Sequence, residues 1–154
     1  MTCLLEKIEV ASPPVFFVST NQRDPRAKME TIKRYHPNGA LSISYNAING
    51  KREGLCQQWY ENGQLMYEYF CVDDKIEGIQ KHWDADGSII SHAAFKGGKL
   101  NGPSIHWYDD SQVAVECSYI DNAYDGPCKS WNEEGKLVSE IVYDKGKIKS
   151  AKWF

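Results

Sequence analysis

The sequence predicts an all-β protein, an elongated antiparallel single-sheet solenoid of five 24-residue β-hairpin repeats with an N-terminal cap. Three observations predict it. Turn residues recur every 24 positions, an aromatic residue stands four positions before each turn, and apolar residues alternate with polar ones after it. A fixed period is typical of repeat architectures, and alternation with period two is typical of strands. Residues 32–154 are predicted to form the repeat domain, and residues 1–31 an N-terminal cap or docking segment.

The hairpin turns define the repeat. The segment Pro37-Asn38-Gly39 suits a tight turn, because proline presets the first turn position and glycine accepts a positive φ. Successive units place Gly39, Gly63, Gly87, Ser111 and Gly135 at the turn, and Tyr35, Trp59, Trp83, Trp107 and Trp131 four residues earlier. We expect these tryptophans to follow the apolar alternation and to be buried along one face, where each ring contributes ~2–3 kcal/mol to cohesion.

The strands follow from the residues after each turn. Apolar side chains fall on alternate positions, as in Leu65, Tyr67 and Tyr69, which predicts a strand with one apolar face. The intervening positions include a polar column that should face water, formed by Ser44, Glu68, His92, Glu116 and Glu140. A second turn, joining each hairpin to the next, is marked by Gly54, Gly78, Gly102, Gly126 and Ser150. Stacking is required because a lone hairpin is marginal in water.

The two ends depart from the repeat. Near the start, "PPVFFVST" has the composition of a strand, and "DPRAKMET" suits a short helical turn with Asp24 as N-cap and Glu30 late in the turn. These features favour a cap over a flexible docking arm. At the other end, "KSAKWF" begins a sixth unit, so Trp153 and Phe154 are predicted to lie on an edge strand open to pairing with another copy or another protein. Lys149 and Lys152 could instead blunt that edge.

Composition and net charge limit the classes of partner and the cellular compartment that we expect. A net charge of -3 gives no electrostatic reason to expect nucleic acid or an anionic membrane. The cysteines are Cys3, Cys56, Cys71, Cys117 and Cys128, without a CxxC pair, so buried reduced thiols in an intracellular compartment are the simpler interpretation. No apolar run is long enough to cross a membrane, and two early acidic residues argue against a secretion signal. We therefore expect a soluble, cytoplasmic protein.

Candidate chemistry is sparse. His82 and His106 share a repeat slot and should emerge on one face about 10 Å apart, too far to bind one metal without a third group. Cys56 and Cys128 also share a slot, but three units separate them. The glycine-rich segment "KGGKLNG" is not followed by a helix pattern, so it lacks the amide dipole of a nucleotide site. The sequence predicts no catalytic site, no metal and no cofactor.

The unit aromatic-x-x-x-Gly-x-Leu, followed by a strand and Gly-Lys-x-x-Gly, resembles the MORN repeat, as carried by "WYENGQL", "WNEEGKL" and "KGGKLNG". It is similar to the variant of YwqK-like bacterial antitoxins and of many proteins from large DNA viruses. The resemblance implies a noncatalytic protein-interaction scaffold, within a homo-oligomer or a larger cellular or viral assembly, including a virion. Contacts are expected from a polar face with Glu68, His82, His92, His106 and Glu116, and from the two ends.

Two alternative roles accompany this resemblance. An antitoxin-like protein would neutralise a partner toxin. A lipid- or membrane-associated adaptor is the other, because such a role has been proposed for MORN arrays generally. The acidic body of the chain disfavours the membrane role, since anionic headgroups would repel it.

Overall fold

The computed structural model describes residues 28–109 and 112–154, and all regular structure in them is strand. Eleven antiparallel strands lie in sequence order in one sheet. They are β1 (Met29–Tyr35), β2 (Leu41–Ile48), β3 (Lys51–Trp59), β4 (Leu65–Val72), β5 (Lys75–Trp83), β6 (Ile89–Lys96), β7 (Lys99–Trp107), β8 (Val113–Ile120), β9 (Ala123–Trp131), β10 (Leu137–Asp144) and β11 (Lys147–Trp153). The prediction of an all-β hairpin solenoid is confirmed.

The predicted hairpin turns form where the glycines stand. At Gly63 the backbone has a φ of 85°, and its N–H donates to the carbonyl of Tyr60 at 3.0 Å. The side chain of Asn62 accepts a hydrogen bond from the N–H of Gln64 at 3.0 Å, which closes the same turn. Glycine is favoured there because a positive φ carries no steric penalty without a Cβ.

The second set of turns lies earlier in the chain than the spacing of the glycines predicted. The connections are two-residue turns with both residues at positive φ, at Asn49-Gly50, Asp73-Asp74, Gly97-Gly98, Asp121-Asn122 and Lys145-Gly146. This is the geometry that suits the right-handed twist of antiparallel strands. The glycines predicted to mark these turns, Gly54, Gly78, Gly102 and Gly126, instead lie inside β3, β5, β7 and β9.

These internal glycines form bulges. Between β6 and β7, Ala93 opposes Ser104 and Phe95 opposes Leu100, so a four-residue step on one strand faces a two-residue step on the other. Gly102 lies in this step with a φ of 114°. A Cβ at Gly102 would lie 3.0 Å from the Cβ of Ala94. Glycine is therefore required both by the backbone angle and by the close approach of the neighbouring strand.

The last strand has a different bulge because Ser150 replaces the glycine. Ser150 does not adopt a positive φ, and here Val142 opposes Ser150 while Tyr143 opposes Ile148. The step between β10 and β11 is thus one residue against two. This shortening shifts β11 by one position relative to the repeat.

The N-terminal prediction lies mostly outside the described residues. Nothing is described of residues 1–27, which contain the predicted strand and the Asp24 N-cap. Glu30, however, lies in β1 and not in a helical turn, because the sheet begins at Met29 and pairs Glu30 with Ala47.

Two faces of the sheet differ in chemistry. One carries the cross-strand neighbours Tyr45, Cys56 and Tyr69 and, further along, Gln80, Ala93, Ser104, Cys117, Cys128 and Ile141. We call it the cysteine face. The most buried side chains lie there, including Cys71, Cys56 at 2% exposure and Cys117 at 3%. Since successive residues of a strand point to opposite sides, the residues between them form the other face, the charged face.

The cysteines correct one expectation. Cys56 and Cys71 are buried free thiols, as the sequence suggested. Cys117 and Cys128, however, are joined by a disulfide between β8 and β9. The interpretation of reduced thiols was therefore wrong for this pair, because strand register brings the two residues directly opposite each other and residue spacing alone does not reveal register.

Candidate binding faces of the sheet

One row of side chains crosses the whole charged face. Each member is paired with the next across one strand interface, from β1 to β11. The row is Lys33, Ser44, Gln57, Glu68, Lys81, His92, Ile105, Glu116, Lys129, Glu140 and Lys152. We call it the charged row. In its C-terminal half, acidic and basic side chains alternate.

The sequence pattern predicts five of the eleven residues of the charged row. It predicted the column of Ser44, Glu68, His92, Glu116 and Glu140, and the structure places these residues on one face. It missed the interleaved residues from the odd-numbered strands. The missing signal was the register across each hairpin, because Gln57 and Lys129 can be matched to their partners only when the turn bulges are known.

Contacts within the row are polar and close. The amide of Gln57 donates to the carboxylate of Glu68 at 2.9 Å. The Nζ of Lys129 lies 3.6 Å from Oε1 of Glu140. Because both groups of this ion pair are substantially exposed, the pair contributes little to stability, and its main effect is to hold charges of known sign at known positions.

The tryptophans lie on the charged face and not with the most buried side chains. The ring of Trp107 meets that of His92 edge to face, with centroids 4.9 Å apart. Trp59, Trp83, Trp107 and Trp131 are half-buried, and Tyr35 is exposed. The expectation that they follow the apolar alternation was therefore wrong. The error arises from a bulge at the end of each hairpin, where Gln58 opposes Tyr67 but Trp59 opposes Leu65. The bulge breaks the simple alternation between the tryptophan and the apolar residues that follow the turn.

His92 is also electrostatically constrained. Burial lowers the pKa of His92, and the positive charge of Lys81 lowers it further. Lys81 is its direct neighbour in the charged row. The imidazole is thus biased toward its neutral form, in which it can both donate and accept a hydrogen bond.

His82 and His106 lie on the cysteine face. Both are paired with Ser91, which stands between them on β6. The ring of His82 stacks on Tyr67 with centroids 4.1 Å apart, and burial together with the charge of His106 lowers the pKa of His82. The predicted contact residues are therefore divided between two faces, and the expectation of one shared polar face was wrong. The bulges again explain the error, since they change which residues share a side.

Three exposed apolar side chains form a group on the charged face, which sequence reasoning missed. Leu55 and Phe70 are direct cross-strand partners, and Ile79 lies on the next strand. Their exposed fractions are 48%, 46% and 48%, respectively. We call this group the apolar patch. It lies beside Gln57 and Glu68 of the charged row, each of which stands two positions from a member of the patch along the same strand.

Hydrogen bonds link successive hairpin turns along one edge. The hydroxyl of Tyr60 donates to the carbonyl of Trp83 at 2.9 Å, and that of Tyr108 to the carbonyl of Trp131 at 3.0 Å. In the third unit, Asp84 occupies this position and accepts hydrogen bonds from two amides of its own turn. A carboxylate has no proton to donate, so Asp84 cannot extend the series to the fourth unit.

The C-terminal strand presents apolar side chains at the edge. Within the described residues, β11 pairs only with β10. Ile148, Trp153 and Phe154 are all strongly exposed. Because of the altered bulge, Trp153 opposes Ser139 and lies on the cysteine face, whereas Lys152 completes the charged row.

A further candidate site lies on β8 and β9. A small open depression of about 70 Å³ is lined by Glu116, Ser118, Pro127 and Lys129. In residues 28–109 and 112–154, no three His, Cys, Asp or Glu side chains converge as metal ligands. The same residues contain no helix long and apolar enough to span a bilayer. The absence of catalysis and of cofactors stays a prediction.

The fold and its faces define a class of protein, a single-sheet solenoid of β-hairpin units with two chemically distinct sides. Two segments, residues 52–70 and 124–145, match the family model described as MORN repeat variant. The first covers most of β3 and β4 with their hairpin turn, and the second covers most of β9, all of β10 and the turn between them. No curated protein matches the chain. The resemblance seen in the sequence is thus confirmed for the repeat variant.

Proposed function

We propose that this protein is a noncatalytic protein–protein interaction scaffold that binds its partner on the charged face. The apolar patch carries this proposal, because Leu55, Phe70 and Ile79 are each nearly half exposed and lie together on an extended sheet. Contiguous exposed apolar groups with a polar surround are typical of interaction sites. The repeat match supports the proposal, since MORN repeats are commonly protein- or membrane-interaction modules and generally lack catalysis.

The charged row supplies the specificity in this proposal. Charges of alternating sign suit a partner with the complementary order, and a partner shifted by one strand would meet like charges. Glu68, His92 and Glu116 contribute to this recognition. His82 and His106 would contact a partner that binds the cysteine face instead.

Edge pairing is the second part of the proposal. We propose that β11 adds a strand from a second copy or from another protein, with Trp153 and Phe154 packing against it. Removing residues 152–154 and measuring mass by light scattering tests this contribution. A mass per particle that is unchanged after truncation contradicts it.

The docking proposal is tested by differential affinity purification from the native cell or particle. Phe70→Ser should abolish capture of the partner, because it removes the centre of the apolar patch. Ile120→Ser is the matched control, since Ile120 is similarly exposed but lies on β8, away from the patch. Equal capture by the two variants contradicts the proposal. Flotation with anionic vesicles, without a protein partner, would favour the membrane-adaptor alternative.

A further inference from the structure

The disulfide joins two residues that the sheet already holds together. Cys117 on β8 and Cys128 on β9 are direct cross-strand partners with Cα atoms 4.0 Å apart. This separation belongs to the closely spaced class of antiparallel pairs, in which the side chains approach each other most. The sheet therefore keeps the two sulfurs adjacent whether or not they are bonded, because the ladder of backbone hydrogen bonds positions the strands.

A second pair of cysteines on the same face provides the contrast. Cys56 opposes Tyr69, and Cys71 opposes Gly54, so the two cysteines are diagonal neighbours. Diagonal neighbours lie further apart than direct cross-strand partners, and the two thiols hydrogen-bond to each other. Burial raises the pKa of the Cys56 thiol to about 12 and raises the pKa of Cys71 as well. The raised pKa values keep both groups in the thiol form, which is not the nucleophile in thiol–disulfide exchange.

The bonded pair differs in accessibility between its two sulfurs. Cys117 is almost completely buried, whereas Cys128 is only half-buried. Thiol–disulfide exchange requires attack along a path to one sulfur, so an external reagent reaches Cys128 first.

We propose that Cys117 and Cys128 form a reversible thiol–disulfide switch that clamps β8 to β9, operated by small thiols and disulfides of the glutathione class. In reduction, an external thiolate attacks Sγ of Cys128, the bond to Cys117 breaks, and Cys117 leaves as a thiolate that takes a proton. A second external thiolate then attacks the external sulfur of the mixed disulfide and releases Cys128. Two external thiols are oxidised to one disulfide, and the protein disulfide is reduced to two thiols.

The clamp acts on the C-terminal units. It closes a loop with a sequence separation of 11 around the turn at Asp121-Asn122. Closing a loop restricts the open states of the enclosed strands, so the oxidised form should open locally less often. Reduction consequently loosens β8 and β9, which contribute Glu116 and Lys129 to the charged row.

A redox titration of the full chain tests the switch without any substitution. The protein is equilibrated in glutathione buffers from fully reducing to fully oxidising, alkylated and mapped by mass spectrometry. Cys117 and Cys128 should convert together in one two-electron transition, while Cys56 and Cys71 remain thiols throughout. Failure to form the bond at any ratio overturns the proposal. A bond from either residue to Cys3, Cys56 or Cys71 in place of this pair also overturns it.

Hydrogen exchange tests the consequence of the switch. Backbone amides of β8 and β9 should exchange at least about tenfold more slowly in the oxidised form than in the reduced form. The variant Cys117→Ser/Cys128→Ser should lose this redox response, and Cys56→Ser/Cys71→Ser should keep it. Equal exchange rates in the oxidised and reduced wild-type protein contradict the clamp, whatever the variants do.

Discussion

Replacing Gly102 by alanine should destabilise the sheet more than the same change at Gly78. Both glycines lie at equivalent bulges, with φ values of 114° and 80°. At Gly78 nothing lies within 4 Å of an added Cβ, so only the backbone penalty of about 1–2 kcal/mol applies. At Gly102 the added Cβ lies 3.0 Å from the Cβ of Ala94, which adds overpacking of about 1–3 kcal/mol.

The assay is unfolding in urea, monitored by the fluorescence of the half-buried tryptophans. The change in the urea midpoint is multiplied by the slope of the unfolding free energy against urea concentration to give the change in stability. A double-mutant cycle with Ala94→Gly isolates the steric component. Removing the methyl group of Ala94 relieves the clash, so the double variant should recover about 1 kcal/mol or more relative to additivity. Equal losses at Gly78 and Gly102, or a coupling energy of zero, would refute the assignment of these residues to tight bulges.

Three further outcomes are expected. Tyr60→Phe should cost about 0.5–1.5 kcal/mol, because the hydroxyl donates to the next unit's tryptophan carbonyl, whereas Tyr35→Phe should leave the urea midpoint unchanged. Stability should fall on acidification below about pH 6.5, the ordinary pKa of histidine, because His82 and His92 have lowered pKa values and the unfolded chain binds protons first; urea midpoints that do not change between pH 5.5 and 7.5 would contradict this. Lys81→Gln should raise the pKa of His92, as measured by NMR titration, and leave that of His82 unchanged.

The sequence predicted the period because each unit repeats the same local chemistry. A glycine that must adopt a positive φ and an aromatic residue four positions earlier, as at Gly63 and Trp59, are visible without any tertiary information. The strand class, the single sheet and the hairpin turns follow from such local rules. These are the features that the structure confirmed.

The assignment of side chains to faces could not be predicted in the same way. Alternation counts positions along one strand, but each bulge adds residues to one strand and not to its partner. The bulge at the end of the β5–β6 hairpin sets a register in which His82 opposes Ser91 and Lys81 opposes His92, so the two histidines emerge on opposite sides of the sheet. The pairing of Cys117 with Cys128 was missed for the same reason, because it depends on the register of β8 with β9 across the bulge at Gly126.

The last unit departs from the repeat and still continues the charged row. With a glycine at position 150 and the bulge of the other units, the repeat would place Trp153 opposite Glu140, as Lys129 is placed opposite Glu116. Ser150 shortens the bulge, and the resulting one-residue shift places Lys152 there instead. The alternation of acid and base therefore continues to the last strand because the glycine is missing. A side chain that departs from the repeat thus preserves the order of charges on this face, and the proposed recognition of a charge-complementary partner depends on that order.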